Sequence, residues 1–512
     1  MRNIKKQLSI LLSLIVLCVM ITGCGNNSGT KNSETTSSAG ESKNGKAADA
    51  EVSEINMALM INGAGSTQDI KLIEEGINKI SIPKINTKVK ISPISASSYS
   101  QQMTLMLSGD EPLDLMVVLS REIATYASRN QIIPLNELLD KEGAGIKEAL
   151  GTYYNSASIS GDIYAVPTVR DLCRGGGLNM RKDLLDKYNI DLDSVKSLED
   201  MTPVFEKIKK GEGENFYPLV ISSAGNSFLQ DYVTVDPLDD FNGVLLNGGS
   251  DNTDVVMYEE TDEYKNMINL FRGWYEAGYI LKDIATTQEA YAALMKAGVG
   301  FSYFTNCKPG ITTIAKRNTG YEIVNKQFVD YFATSSQVNS ICWAIAQNSK
   351  NPEAAMKFLN LMYSDKDVVT TLSWGIEGTH YVYMDDGFVT YPEGVDDKSS
   401  GWTLNTSWLM GNQFLTPLWE GEDAELWNKQ KAANDSAKKS QALGFTFDGS
   451  NVKTEIAAVA SVRDQYRRLL ENGVADPEEY LPEYITKLKA AGIEKIIAEK
   501  KSQLETWLAN KK

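Results

Sequence analysis

Glu54-Ile55-Asn56-Met57-Ala58-Leu59-Met60 reads as a strand, Gly63-Ala64-Gly65-Ser66 turns the chain, and Asp69 to Ile80 follows with Ile70, Ile73, Ile77 and Ile80 on one helical face. Lys88 to Ile94 reads as a second strand and Tyr99 to Leu107 as a second helix. Gly109-Asp110-Glu111-Pro112 breaks that helix, and Leu113 to Leu119 is a nearly unbroken apolar run, the mark of a strand buried on both faces of a parallel sheet. Strand, helix, strand, helix, strand is the order of an α/β domain. In such sheets a ligand sits beyond the carboxyl ends of the strands, which directs attention to Gly63–Ser66 and Leu119–Arg121.

The same alternation continues downstream. Helices are expected at Lys196 to Lys210, Asp262 to Gly278 and Thr287 to Lys296, then strands at Gly298 to Phe304 and Ile341 to Ala346. Asn351-Pro352-Glu353 opens a helix to about Tyr363, with proline in the first turn. The tail is helical: Val452, Ile456, Val459, Val462, Tyr466 and Leu469 recur every three or four residues up to Gly473, and Ile493 to Leu508 form a last apolar stripe. Residues 51–512 are too many for one compact core, so two domains are expected.

The amino terminus carries Arg2, Lys5 and Lys6 ahead of an apolar run from Leu8 to Ile21, long enough for a signal sequence and short for a membrane span. It ends in Ile21-Thr22-Gly23-Cys24, which looks like a lipobox. Residues 1–23 are therefore expected to be removed and Cys24 to receive diacylglycerol and a further palmitate-like acyl chain. Each buried methylene adds about 0.8 kcal/mol of membrane affinity. The alternative is an ordinary secretory signal with a chance cysteine. Residues 25–50 lack large apolar side chains and cannot offset their ordering entropy, so residues 24–50 read as the lipidated cysteine and a tether with a reach on the order of 30 Å. The expected location is the extracytoplasmic face of the cell membrane.

Formal charge is −16, and loss of the three signal-sequence cations makes it more negative. An acidic body is repelled by nucleic acid and by anionic lipid, so the anchor must bring it to the membrane and nucleic acid is not expected as a partner. Of five cysteines, Cys173, Cys307 and Cys342 remain in the body, an odd number without CxxC spacing. They read as buried thiols, with a Cys307–Cys342 bridge left open. His380 is the single histidine, there is no HExxH and no GxxxxGK[ST], and neither metal nor cofactor is expected. The acidic pairs Asp239-Asp240, Asp385-Asp386 and Asp396-Asp397 read as turn or surface groups in so acidic a chain.

One positive feature stands out. Trp374, Trp402, Trp408, Trp419 and Trp427 are five of the eight tryptophans and fall in one short stretch, among Glu377, His380, Tyr381, Asn405, Asn412 and Gln413. Aromatic faces stack on the C–H faces of sugar rings, while carboxylates and amides bond ring hydroxyls, so this mixture suits a polyol. The alternative is that these tryptophans fill a core.

Gly109-Asp110-Glu111-Pro112-Leu113-Asp114-Leu115, Ile133-Pro134-Leu135-Asn136-Glu137-Leu138-Leu139, Gly161-Asp162-Ile163-Tyr164-Ala165-Val166-Pro167 and Asn179-Met180-Arg181-Lys182-Asp183-Leu184-Leu185, in this order behind the lipobox, resemble solute-binding protein family 1 of ABC importers. The tail from Trp374-Gly375-Ile376-Glu377-Gly378 through Gly444-Phe445-Thr446-Phe447-Asp448 resembles a lipid-anchored subgroup whose shared C-terminal domain has no determined role. The resemblance implies a two-lobed periplasmic-binding-protein-like fold with discontinuous lobes, a hinge and an interlobe cleft. Chain crossings are expected near Tyr164–Arg170, Ala285 and Asn339–Ala346. That puts 51–165 plus 286–342 in the first lobe, and 166–285 plus 343–512, with the helical tail, in the second.

It also implies a monomeric, non-catalytic binding protein that captures a small solute, expected to be a mono- or oligosaccharide, by hinge closure and delivers it to separate ABC permease subunits. Expected ligand contacts are Ser66 and Arg121 at strand ends, Arg170 and Asp171 after the first crossing, and Trp374, Glu377, Trp402 and Asn412. Trp374 or Trp402 would be the stacking platform and Glu377 a hydroxyl acceptor. The competing readings are a surface glycan hydrolase working through two carboxylates and a surface lipoprotein that binds a macromolecule.

Overall fold

The computed structural model describes residues 51–61, 67–109, 112–221, 225–402 and 406–511, apart from the side chains of Thr67 and Arg121. Ser66 and Cys24, with the rest of the expected signal sequence and tether, lie outside the described residues. Two main sheets organise residues 51–512. The first has strand order Thr87–Ser95, Ser53–Ile61, Leu115–Val118, Cys342–Ile345, Val166–Pro167. Its first three strands are parallel and the last two pairings antiparallel. All four residues of Leu115–Val118 are buried, as the unbroken apolar run requires of a strand covered on both faces. The helix Thr67–Ile85 returns the chain between the first two strands and buries Ile73 and Ile77.

The second sheet has order Ile323–Gln327, Gly175–Arg181, Gly300–Cys307, Tyr217–Val220, with only the last pairing parallel. Gly175-Gly176-Gly177 opens its central strand because neighbouring chain leaves no room: a Cβ on Gly177 would lie 2.2 Å from the Lys326 carbonyl oxygen. Beneath this sheet Phe205, Phe271, Trp274 and Phe301 make a fully buried aromatic core, Trp274 edge-on to Phe205 at 4.9 Å. Burying each such ring contributes roughly 2–3 kcal/mol.

The partition of the chain differs from the expected one. Residues 286–332 do not join the first lobe, because Gly300–Cys307 and Ile323–Gln327 flank Gly175–Arg181 in the second sheet. Conversely, the helices Pro352–Ser364 and Lys366–Trp374 bury Phe358, Leu359, Met362, Val368 and Leu372 in the first core. Trp402, Leu409, Met410, Ala433 and Ala437 join them there. The Trp343 indole donates to the Leu409 carbonyl (2.8 Å), tying this later stretch to the first sheet. The chain passes between the cores at Cys173–Gly175, Phe332–Ala333 and Ala437–Ala442. These passages run side by side: Arg174 bridges Phe332, and Phe332–Ala333 pairs in parallel with Lys438–Lys439.

The helical tail is built into the second lobe. Helices Lys453–Glu471, Pro477–Ala490 and Ile493–Asn510 bury Val459, Tyr466, Tyr484 and Ile496 in its core. Cys307 and Cys342 stand in different sheets, and both are free thiols, as is Cys173; burial raises the Cys173 pKa to about 12 and the Cys307 pKa to about 11.

Candidate functional site

Cys342 lies opposite Val118 in the first sheet, so Ser340 and Ile341 stand just beyond the carboxyl edge of Leu115–Val118. Pro167 is the other partner of Cys342, which brings Thr168 to Asp171 to the same edge. A cavity of about 470 Å³ opens there, within the range of small-molecule sites. Its first-lobe wall includes Arg170, Asp171, Gln337, Ser340, Trp374 and Gln413, and its second-lobe wall Lys308, Gly310, Ile314 and Arg317.

A charged cluster forms the floor. Arg170 donates to the Asp171 carboxylate (2.7 Å) and to the Gln337 carbonyl (3.0 Å), and also contacts Ser340. Lys308, one residue past the strand Gly300–Cys307, donates to the other Asp171 oxygen (2.9 Å) and so links the lobes. Burial would raise the Asp171 pKa, but the Lys308 and Arg170 cations outweigh it and hold the carboxyl below its ordinary value. Asn434 fixes the backbone, donating to the Arg170 carbonyl (2.6 Å) and accepting from the Leu172 N–H (2.9 Å). At the far wall Arg317 donates to Glu422 (3.3 Å), a second pair between the lobes. Burial of Glu422 raises its pKa in spite of Arg317. Two buried donors at the wall, Arg170 Nε and Gln430 Nε2, have no protein partner, a rare deficit in native proteins.

The aromatic part comes from the loop after Trp374. Trp374, Trp408, Trp419 and Trp427 all line the cavity and are all half-buried. Trp374 and Trp419 pack at 4.9 Å between ring centroids, and Tyr391 meets Trp419 edge-on at 4.7 Å. Their polar edges are held: Trp374 donates to the Pro417 carbonyl (3.2 Å) and Trp427 to the Thr416 carbonyl (2.9 Å). The faces are therefore rigidly oriented, at little further entropy cost to a ligand.

Of the residues named from sequence, Arg170, Asp171 and Trp374 line this cavity. Trp402 does not: it is 3% exposed, and its indole donates to the Leu372 carbonyl (3.1 Å) in the first core. Asn412 is buried one position before Gln413, donating to the Tyr363 carbonyl (3.3 Å) and accepting from the Phe414 N–H (3.1 Å). It shapes the turn that presents Gln413. Glu377 is exposed two residues past Gly375, bridged to Tyr381, and does not line the cavity. Arg121 lies in the helix Ser120–Ser128. His380 is structural, meeting Asp69 (3.0 Å) through Nε2 and accepting from the Ile376 N–H (3.0 Å) through Nδ1. None of the three acidic pairs lines the cavity. Sequence reading did not single out Lys308, Arg317, Gln337 or Ser340. The Lys308-Pro309-Gly310 turn after a strand was the available signal.

A family profile described as bacterial extracellular solute-binding protein matches residues 83–369, and a domain described only as of unknown function matches residues 441–509. A carbohydrate ABC transporter substrate-binding protein of Streptococcus pneumoniae serotype 4 is 27% identical over 532 aligned positions, 100% of both chains. Lipoprotein LipO of Bacillus subtilis is 22% identical over 407 positions, 74% of each chain. The crystal structure of the N-glycan transport solute binding protein NgtS from Streptococcus pneumoniae superposes with a TM-score of 0.79 at 26% identity, covering 90% of this chain and 100% of that one. Its complexes with Man1GlcNAc and Man5GlcNAc give TM-scores of 0.70 and 0.67, at 25% and 26% identity, each covering 99% of that chain and 89% and 90% of this one. The two-lobed α/β fold is thus that of solute-binding proteins, and this chain belongs to the bacterial extracellular solute-binding protein family.

Proposed function

We propose that the chain captures a neutral oligosaccharide between its lobes and hands it to the permease of an ABC importer, while lipid on Cys24 holds it at the outer face of the cytoplasmic membrane as a monomer. The observation that carries this reading is the set of four half-buried tryptophans on a cleft whose opposite wall belongs to the other lobe. Aromatic faces take the apolar sides of sugar rings, and Arg170, Asp171, Gln337 and Gln413 serve the hydroxyls. Lysine and arginine in the cleft stand against Asp171 and Glu422, so a neutral ligand fits better than an anionic one.

Closure is the mechanism. The lobes join through three adjacent passages, which permit rotation without breaking either core. A ligand that contacts both walls is bound more tightly by the closed form and shifts the population toward it. Support comes from NgtS, whose glycan complexes superpose on this chain less well than its other structure does. The carbohydrate transport named for the Streptococcus pneumoniae relatives, and the lipoprotein name of LipO, support the ligand class and the anchor.

The test is calorimetric titration of residues 51–512 with neutral oligosaccharides, free amino acids and short peptides, with scattering to follow compaction. Glycan binding with a smaller radius of gyration is expected. Binding confined to amino acids or peptides would discard the ligand class. Retention of a Cys24→Ala variant in the membrane fraction would discard the anchor.

A further inference from the structure

A second cavity, of about 250 Å³, lies on the second lobe beside the cleft. It is bordered by Tyr291, Tyr303, Thr305, Asn306 and Arg174 among others, and Ile314 lines both cavities. Ile314 sits on the helix Ile311–Thr319, so the two spaces meet across one side chain of that helix. We infer that this cavity is a second sugar subsite, and that the ligand is an oligosaccharide long or branched enough to pass Ile314. This rests on the glycan reading of the cleft and adds to it the extent of the ligand.

Three features of the wall carry the inference. First, there is a built aromatic platform. Tyr291 stacks on Tyr303 with ring centroids 3.9 Å apart and planes 21° from parallel. Both hydroxyls are anchored: Asn179 donates to Tyr303 (3.0 Å) and Asn318 to Tyr291 (2.9 Å), while Asn325 donates to Asn179 (2.9 Å) behind them. Tyr303 is buried and Tyr291 half-buried, so the pair presents one supported ring to the space. Second, amide and hydroxyl groups stand beside it. Asn306 uses its side-chain oxygen to accept from the Gly175 N–H (3.0 Å), and its nitrogen supplies donors. Third, the cation at this wall, Arg174, is turned toward protein: its Nη2 donates to the Gln230 and Asp231 carbonyls (3.2 and 3.0 Å), while its buried Nε has no protein partner. Such a wall suits a neutral ring. The volume is below the roughly 300 Å³ from which independent ligand sites begin, as expected for one unit of a longer ligand.

The arrangement predicts a length preference that depends on Tyr291. Man1GlcNAc and Man5GlcNAc serve as the short and long probes, within a ladder of neutral glycans of two to six units, each titrated into the wild-type protein, Tyr291→Ala and Tyr291→Phe. The wild type should favour the long glycan by tenfold or more. Tyr291→Ala should lose most of that preference while keeping short-glycan affinity within about twofold, and Tyr291→Phe, which keeps the ring, should retain it. Equal loss for short and long glycans, or an unchanged preference in Tyr291→Ala, overturns the subsite and leaves the cleft reading standing. Failure of every glycan to bind the wild-type protein overturns both.

Discussion

The second lobe has two seams, one with the first lobe and one with its own C-terminal helices, and they are built to opposite ends. Toward the first lobe it offers Lys308, Gly310 and Arg317 across an open cavity, with ion pairs whose cations are 30% and 47% exposed. Toward the C-terminal helices the contacts are buried ones. Lys500 is wholly buried there and donates to Asp240 and to the Pro237 and Gly243 carbonyls. Arg463 pairs with a buried Glu259 (2.7 Å) and donates to Asn242 (3.2 Å). Glu471 accepts from Ser227 and from Tyr264 (3.3 Å). Buried charges of this kind hold a geometry only while every partner is present. The difference teaches which joint moves: the cleft exchanges its partners for solvent cheaply, whereas the tail is part of the lobe's core.

Breaking the fixed seam should have the largest effect. Arg463→Ala leaves Glu259 buried and uncompensated, which costs about 3–5 kcal/mol of folding stability. Denaturant unfolding should show it, while any protein that remains folded binds glycan normally. A loss under 1 kcal/mol would place the tail among loosely docked domains and end the contrast.

The cleft should answer in the opposite way. Trp374→Ala is expected to weaken glycan binding by about 2–4 kcal/mol, as for a desolvated aromatic anchor, with little change in unfolding midpoint. Trp402→Ala should reverse that pattern, because Trp402 is buried in the first core. Calorimetry beside thermal unfolding separates the two. If Trp374→Ala destabilises the fold and leaves affinity intact, Trp374 is a core residue and the cleft has lost its platform.

This pair shows where sequence reading reaches and where it stops. The tryptophan-rich stretch was visible as a region, but Trp402 and Trp408 are six residues apart with the same composition around them, and only tertiary packing turns one inward and the other to the cavity. Elements were legible where periodicity was strong, as in Asp262–Glu276, which ends within two residues of the expected stop. The helix expected from Lys196 starts later, at Met201, because the Asp200 carboxylate accepts the Lys196 and Ser197 N–H groups and folds that segment into a turn. Lobe membership was not legible after residue 285. An apolar run announces a strand without naming its neighbour, and the choice rests on long-range registers such as Ile323 opposite Arg181. Arg170 and Asp171, expected just after the first crossing, line the cavity, whereas Lys308 and Arg317 come from a part of the chain expected in the other sheet.

The fixed seam also carries a pH signature. Burial raises the Glu471 pKa from 4.5 to about 7 against the nearby Arg467 and the Ser227 hydroxyl. A carboxyl raised in the folded state contributes stability fully present below pH 4.5 and lost as pH rises through about 7. The change is on the order of 2–3 kcal/mol. Glu471→Gln keeps an acceptor for Ser227 and cannot ionise, so its unfolding free energy should change less than the wild type's between pH 4.5 and 7.5. Parallel curves for the two proteins would show that Glu471 is already matched by a cation in the folded seam.

The smallest effect is expected where the cleft is most exposed. Arg317 is half exposed and reaches Glu422 from the second lobe, so Arg317→Ala should change stability by less than about 1 kcal/mol. Its influence falls on the balance between lobe arrangements, since the pair bridges the two lobes. Glycan affinity should change by no more than about fivefold, and the change should vanish in 1 M salt, where the Debye length is near 3 Å. A salt-independent loss would mean that Arg317 touches the sugar directly, and the movable wall would then supply ligand contacts as well as a latch.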